Sequence, residues 1–228
     1  MGKFTYDYPR PALTVDIVVF TLRENHLQVL LVQRGAEPYK EMWALPGGFV
    51  QMAESLEAAA LRELEEETGV NDAYLEQLYT YGNPQRDPRG RVVSVAYFSL
   101  IPASKTIHPE AGSDAASAGW YPIHALPTLA FDHQEIIAYA IRRLRYKLEY
   151  SAVGFELLPD TFTLTQIQST YETILGVKLD KRNFRRRILE ANIIEPTESL
   201  HSGEGRPARL YRYRADAVAE VKARRLFP

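Results

Sequence analysis

Three glutamates, Glu63, Glu66 and Glu67, stand at i, i+3 and i+4 in the run Arg62-Glu63-Leu64-Glu65-Glu66-Glu67-Thr68-Gly69-Val70. That spacing sets their carboxylates on one face of a single helix. Like charges so placed repel and destabilise an isolated helix, so the pattern calls for a compensating cation. Carboxylate oxygens favour hard divalent ions, Mg2+ or Mn2+, and Mg2+ is held by a few carboxylates together with substrate phosphates. Glycines frame the segment: five residues separate Gly48 from Glu54, seven separate Glu54 from Arg62, and Gly69 ends the run. A glycine there suits a left-handed helix C-cap. Leu56, Ala59, Ala60 and Leu64 fall on the opposite, core-facing side of the expected helix.

Around this helix the chain reads as strands leading into helices. Alternating β-branched runs at Leu13–Leu22 and Leu27–Gln33 flank Arg23-Glu24-Asn25-His26 and predict a hairpin. Further strands are expected at Met42–Leu45, Tyr74–Thr80, Val92–Ile101 and Trp120–Pro122, and a long helix at Asp132–Tyr150. This order fits an α/β fold, a mixed sheet covered by helices on both faces. The grammar changes after a boundary placed within 151–160, giving domains of residues 1–150 and 151–228. There Thr163–Leu175 predicts a helix closed by Gly176, and Asp180 can N-cap a second helix from Lys181 to about Ala191. Short strands follow at Ile193-Ile194 and Leu210–Tyr213, separated by a polar loop through Gly203-Glu204-Gly205-Arg206-Pro207. Helix, turn, helix and two-stranded wing is the order of a winged helix-turn-helix.

In the second of those helices Phe184 and Ile188 stand four apart as buried anchors, leaving Lys181, Arg182, Arg185 and Arg186 to face outward near the helix start. The N-terminal part of such a helix supplies side chains to the major groove of double-stranded DNA. Arg contacts guanine or phosphate, and Asn183 can read adenine. The wing adds Arg206 and Arg209, with Arg212 and Arg214, for phosphate or minor-groove contact. Charge follows the same division: residues 151–228 hold 13 Lys+Arg against 10 Asp+Glu, the remainder 14 against 19. A dimerisation or docking domain is the competing reading of the basic helix.

With no cysteine, disulfides, thiolate metal sites and cysteine nucleophiles are excluded together. No apolar run approaches a membrane span and the N-terminus lacks a signal core, so a cytoplasmic protein without a membrane partner is expected. Arg34, Arg86 and Arg91 are candidate phosphate clamps, the last two from the turn-rich loop Asn83–Arg91. Glu110 and Asp114 are further candidates for a base or metal ligand, and His133 is expected to buttress the long helix.

The segment from Gly48 to Val70 meets every fixed position of the Nudix box, GX5EX7REUXEEXGU with U a bulky aliphatic residue. An intact box followed by a winged helix, with the passages Phe131-Asp132-His133 and Asp180-Lys181-Arg182-Asn183-Phe184-Arg185, resembles the Nudix-related transcriptional regulators of NAD metabolism, the NrtR family. The resemblance covers essentially the whole chain. It implies an α/β/α Nudix sandwich and a homodimer that represses NAD-biosynthesis genes, binds ADP-ribose and then releases operator DNA. It further implies metal-dependent cleavage of ADP-ribose to AMP and ribose 5-phosphate. By match to the box, Glu66 and Glu67 are metal ligands and Glu63 a ligand or general base. The Gly47 carbonyl completes the sphere, and Arg62 orients Glu63 or Glu66. Glu54 either ligates a second metal or caps the helix. Two alternatives stay open: a dedicated ADP-ribose diphosphatase whose C-terminal domain dimerises, and a sugar-responsive Nudix regulator.

Overall fold

The computed structural model describes residues 6–70, 73–105, 115–201, 207–214 and 217. They form two compact units, one drawn from Met1–Val19, Val29–Ser99 and Ile107–Ala138, the other from Phe20–Gln28, Leu100–Thr106 and Tyr139–Pro228.

The expected hairpin is present as β1 (Ala12–Arg23) and β2 (His26–Arg34). Glu24 and Asn25 between them both take positive φ, 53° and 61°, as a two-residue turn matched to strand twist requires. β3 (Trp43–Ala44) and β4 (Gly47–Phe49) pair antiparallel with β2 and β1 respectively. β5 (Tyr74–Tyr81) and β6 (Val92–Leu100) complete the order β3-β2-β1-β6-β5, and β7 (Ala115–Pro122) joins β2. The result is a Nudix fold with a mixed sheet. Val15, Ile17, Val18 and Val19 on β1 and Ala96 and Phe98 on β6 are wholly or almost wholly buried, as central strands covered on both faces should be.

α1 (Leu56–Thr68) is the predicted carboxylate helix. Ser55 caps its N-terminus, its hydroxyl accepting from the Ala58 amide, and Gly69 at φ 70° returns its N–H to the Glu65 carbonyl. Ala59, Ala60 and Leu64 are fully buried on the inner face, so the glutamates are left on the other. The long helix α2 (His133–Tyr150) buries Ile136, Ile137, Ala140, Leu144 and Leu148. It begins in the first unit and ends in the second.

In the second unit α3 (Leu164–Leu175) starts with a reciprocal capping box between Thr163 and Gln166 and stops at Gly176, φ 73°. α4 (Lys181–Glu190) is capped by Asp180. Phe184 and Ile188 are its buried anchors, with the Phe184 ring 5.5 Å from that of Tyr171 on α3. The wing is β8 (Ile194–His201) paired antiparallel with β9 (Ala208–Tyr213), its register slipping between Pro196 and Leu200. Phe155 meets Phe162 edge to face at 5.5 Å between ring centroids and Tyr213 of β9 at a tilt, 5.2 Å away. This is a winged helix-turn-helix. β8 is longer than the two residues expected because one face of a wing stays in solvent, and its strands carry no apolar alternation.

Candidate functional site

β4 brings Gly47 and Gly48 against the glutamate face of α1. Gly47 pairs with Asp16 across β1 at φ 154°, and a β-carbon there would collide with the Val15 carbonyl oxygen. At Gly48 a β-carbon would strike the Glu63 carboxylate. Gly47 is therefore required by the backbone it approaches, whereas a side chain at Gly48 would displace the Glu63 carboxylate. The Gly47 amide donates to Glu67, the one favourable contact that tempers that carboxylate.

Arg62 organises its own helix. It donates to Glu54 through Nε and Nη2 at 3.0 and 2.8 Å, to Glu63 at 2.7 Å, to Glu66 at 3.2 Å and to the Phe49 carbonyl at 3.3 Å. Glu54 also accepts from the Gln51 amide, and Arg62 holds its pKa down to about 2. Ser55 has the capping role that was one reading of Glu54. Burial raises the pKa of Glu63 in spite of Arg62. Glu67 has no such cation: burial first, then the charge of Glu63, push it up to about 8, and its Oε2 has no hydrogen-bond partner among the described residues. Glu66 is exposed.

Gly47, Gly48, Glu63, Glu66 and Glu67 line a cavity of about 330 Å³ in the first unit, together with Asp16, Arg34, Phe49, Arg86, Asp87, Arg89, Phe131 and His133; Glu54 and Arg62 stand outside its lining. Among the described residues no three metal-ligating side chains already stand as a metal-binding group. The chemistry of the donors nevertheless fits a divalent ion: a desolvated carboxylate with an orphaned oxygen sits beside two more carboxylates and a glycine turn. A cation offsets the burial and the neighbouring charge of Glu63 that together raise the pKa of Glu67.

The predicted arginines divide. Arg34 lies on the cavity wall, its side chain donating, among the described residues, to carbonyls of its own loop, Pro38 at 2.8 Å and Ala36 at 3.4 Å. Arg86 is buried, bidentate to Asp132 at 2.9 and 2.7 Å and reaching Asp16 at 3.1 Å. Arg91 is exposed, bonded to the Val92 carbonyl, and is not among the lining residues. His133 does more than buttress α2. Its Nδ1 accepts from the Leu45 amide at 2.8 Å and its Nε2 lies 3.6 Å from Asp16, and burial lowers its pKa, so the ring is neutral with the proton on Nε2. Asp16, Asp87, Arg89 and Phe49 were not singled out from the sequence. A signal existed for Asp16, a lone charge inside the apolar run of β1. Glu110 and Asp114 lie outside the described residues.

In the second unit Lys181, Arg182 and Arg186 are exposed on α4, as is Arg209 on β9. Arg185 is half-buried and ties α4 to α3 by a 2.9 Å bond to the Thr165 hydroxyl. The Asn183 side-chain oxygen accepts from Arg186 at 2.8 Å. Arg206 lies outside the described residues.

A glycine turn closed on a three-carboxylate helix, in a chain that also carries a winged helix with a basic second helix, defines a Nudix-domain protein with a DNA-binding-type module. The chain matches the family described as NUDIX domain over residues 11–144 and the NrtR DNA-binding winged helix domain over residues 154–213. It is 43% identical over 211 residues to the ADPR responsive transcriptional repressor NtrR of Acinetobacter baylyi, covering 91% of this chain and 84% of that one. It is similar to the crystal structure of Shewanella oneidensis NrtR complexed with a 27mer DNA, with TM-score 0.83, 39% identity and coverage of 91% and 96%. It is also similar to the NUDIX domain of that protein complexed with ADP ribose, with TM-score 0.54, 39% identity and coverage of 61% and 94%. The chain belongs to the NrtR family. Among the described residues no helix is long and apolar enough to cross a membrane.

Proposed function

We propose that this protein is an ADP-ribose-responsive transcriptional repressor of NAD metabolism that works as a homodimer and retains Nudix hydrolysis. The observation that carries the reading is the coexistence in one chain of a complete carboxylate site and an exposed basic second helix. ADP-ribose enters the cavity of the first unit, and operator DNA meets α4 and the wing. Lys181, Arg182, Asn183, Arg185, Arg186, Arg206 and Arg209 are the DNA contacts. With its side-chain oxygen on Arg186, Asn183 acts by aiming that guanidinium as well as by its own amide.

For hydrolysis, Glu66, Glu67 and the Gly47 carbonyl would hold Mg2+ or Mn2+, with Glu54 the candidate for a second ion. A bound divalent ion supplies neutralisation of the diphosphate and activation of water. The chain's own residues do the rest. Arg62 fixes Glu54 and Glu63 by charge-assisted hydrogen bonds, and Glu63, desolvated and raised in pKa, serves as ligand or as the base that takes the water's proton. Water adds across the P–O–P linkage, giving AMP and ribose 5-phosphate. Arg34, Arg86 and Arg91 are the proposed contacts for the phosphates, Arg86 through the edge not held by its aspartates and Arg91 from outside the cavity. The domains are taken as residues 1–150 and 151–228, and the site of action as the cytoplasm.

The test is binding to DNA upstream of the chain's own gene and its neighbours, at stated salt, with and without ADP-ribose. Tight sequence-specific binding relieved by ADP-ribose is expected. Weak binding indifferent to ADP-ribose would leave a diphosphatase with a basic tail domain.

A further inference from the structure

In the second unit α4 is held against α3 by two kinds of contact. Tyr171 and Phe184 supply the apolar one, two buried rings 5.5 Å apart. Apolar packing is strong but non-directional, and alone it lets a helix roll about its axis or slide along its neighbour. A directional set runs beside it. Thr165, Gln168 and Glu172 stand at i, i+3 and i+7 in α3, which puts them on one face of that helix. Each of the three reaches α4 or the turn that feeds it.

Gln168 and Glu172 close together on Leu179, the residue before the N-cap Asp180. The Leu179 amide donates to Glu172 Oε1 at 3.1 Å, and the Leu179 carbonyl accepts from Gln168 Nε2 at 3.3 Å. Gln168 Nε2 also donates to that same Glu172 oxygen at 2.9 Å, so the three groups form a closed ring of hydrogen bonds. Lys178 takes the other oxygen, Oε2, at 2.8 Å. The Lys178 side chain is 93% exposed against 13% for Glu172, so the ring, not the lysine, is the part that fixes geometry. Lys178 first and Gln168 second hold the Glu172 carboxyl below its ordinary pKa, which keeps both oxygens acceptors at neutral pH. At the other end of the stripe the Thr165 hydroxyl accepts from Arg185 Nη2 at 2.9 Å, at the start of the second turn of α4. The helix is thus tied at its entry and again one turn in.

We propose that Gln168 and Glu172 are positioning residues for DNA recognition: by gripping both polar groups of Leu179 they fix the roll and register of α4, and so determine which of its side chains meet base edges. Neither residue is among the DNA contacts named above; the inference rests on the reading of α4 as the DNA-facing helix and deepens it. Phosphate contacts come from long, flexible cations such as Lys181 and Arg182 and survive a small rotation of the helix. Base contacts require a fixed geometry and do not. A loosened α4 therefore keeps its general attraction for DNA and loses discrimination.

The experiment is a fluorescence anisotropy titration of the full chain, at stated salt, with two duplexes of equal length and composition: DNA from upstream of the chain's own gene, and a scrambled version of it. E172A removes the acceptor of the Leu179 amide. E172Q keeps an oxygen for Leu179 and Gln168 and gives up only the charge that faces Lys178. E172A should cut the preference for the upstream duplex by about tenfold, the scale of one lost base contact, while affinity for the scrambled duplex and its dependence on salt stay close to wild type. E172Q should restore most of the preference. Thermal melts of all three proteins separate this effect from folding. An E172A protein that melts lower yet keeps the wild-type preference, or that loses affinity equally for both duplexes, would overturn the positioning role. A wild type without preference for the upstream duplex would instead overturn the operator reading on which the role rests.

Discussion

Glu67→Gln should make the metal-free protein more stable, and by an amount that depends on pH in a defined direction. The Glu67 carboxyl is raised from 4.5 to about 8, by burial first and by the charge of Glu63 second. The folded state therefore binds this proton more tightly than the unfolded state does. A raised carboxyl costs nothing below the unfolded value, where both states hold the proton. It destabilises progressively as pH climbs from about 4.5 to about 8, and in full above that. At 1.36 kcal/mol per pKa unit the ceiling is about 5 kcal/mol. Relaxation of the site takes part of that. Half of it corresponds to a Tm difference of about 5–10 °C in a chain of this size. Glutamine is the uncharged isostere and can still accept from the Gly47 amide. Thermal melts of both proteins in chelator, from pH 4.5 to 9, should start together and diverge with rising pH, the variant melting higher. Adding Mg2+ should reverse the order, stabilising the wild type by mass action and leaving the variant almost unmoved. A gap constant across the pH range, or equal Mg2+ shifts, would refute the argument that Glu67 is a buried carboxylate awaiting a cation.

Gly48→Ala should fold, because its β-carbon meets the movable end of Glu63, but ADP-ribose turnover should fall at least tenfold as that carboxylate is displaced; a steady-state assay beside a melt separates the two effects. Gly154→Ala places a methyl 2.8 Å from both Leu148 Cδ2 and Tyr171 Cε2 in a filled core, and should cost about 1–3 kcal/mol in urea unfolding. Arg185→Glu breaks the tie to Thr165 and reverses the charge beside the DNA-facing side of α4, so operator binding should vanish in a fluorescence titration while hydrolysis is retained.

The elements that repeat a period are legible in the amino-acid order alone. α1, α3 and α4 are readable to their caps, because Ser55, Gly69, Thr163, Gly176 and Asp180 are chemically required where they stand. β4 is not, since Gly47–Phe49 is too short to show alternation and exists through its pairing with β1. The carboxylate side of the site is equally legible, being local to one helix. The cationic side is not. Arg34, Arg89, Phe49 and Phe131 come from a strand end, two loops and the approach to α2, and only the sheet topology brings them to one cavity. Of the arginines in the Asn83–Arg91 loop, the sequence reading took Arg86 and Arg91 and passed over Arg89; the structure buries Arg86, leaves Arg91 outside the cavity lining, and sets Arg89 near the ring of Phe131.

Wherever local preference and global fold agree in this chain, the residues are structural: caps at helix ends, β-branched residues in covered strands, glycine at the close approaches of β4. Several of the disagreements gather around one cavity. Three glutamates crowd a helix face that repels them, and Glu67 is buried with an orphaned oxygen. Arg34 is half-buried with no ion pair among the described residues, and Phe131 and Tyr39 hold φ values their side chains oppose. A sequence selected only to fold would remove each of these at little cost, so their coincidence around one cavity marks the place where stability yields to function. The two kinds of conflict are complementary. Among the described residues Glu67 has no cation paired to it and Arg34 no carboxylate, and a metal-bound diphosphate supplies a counter-charge for each.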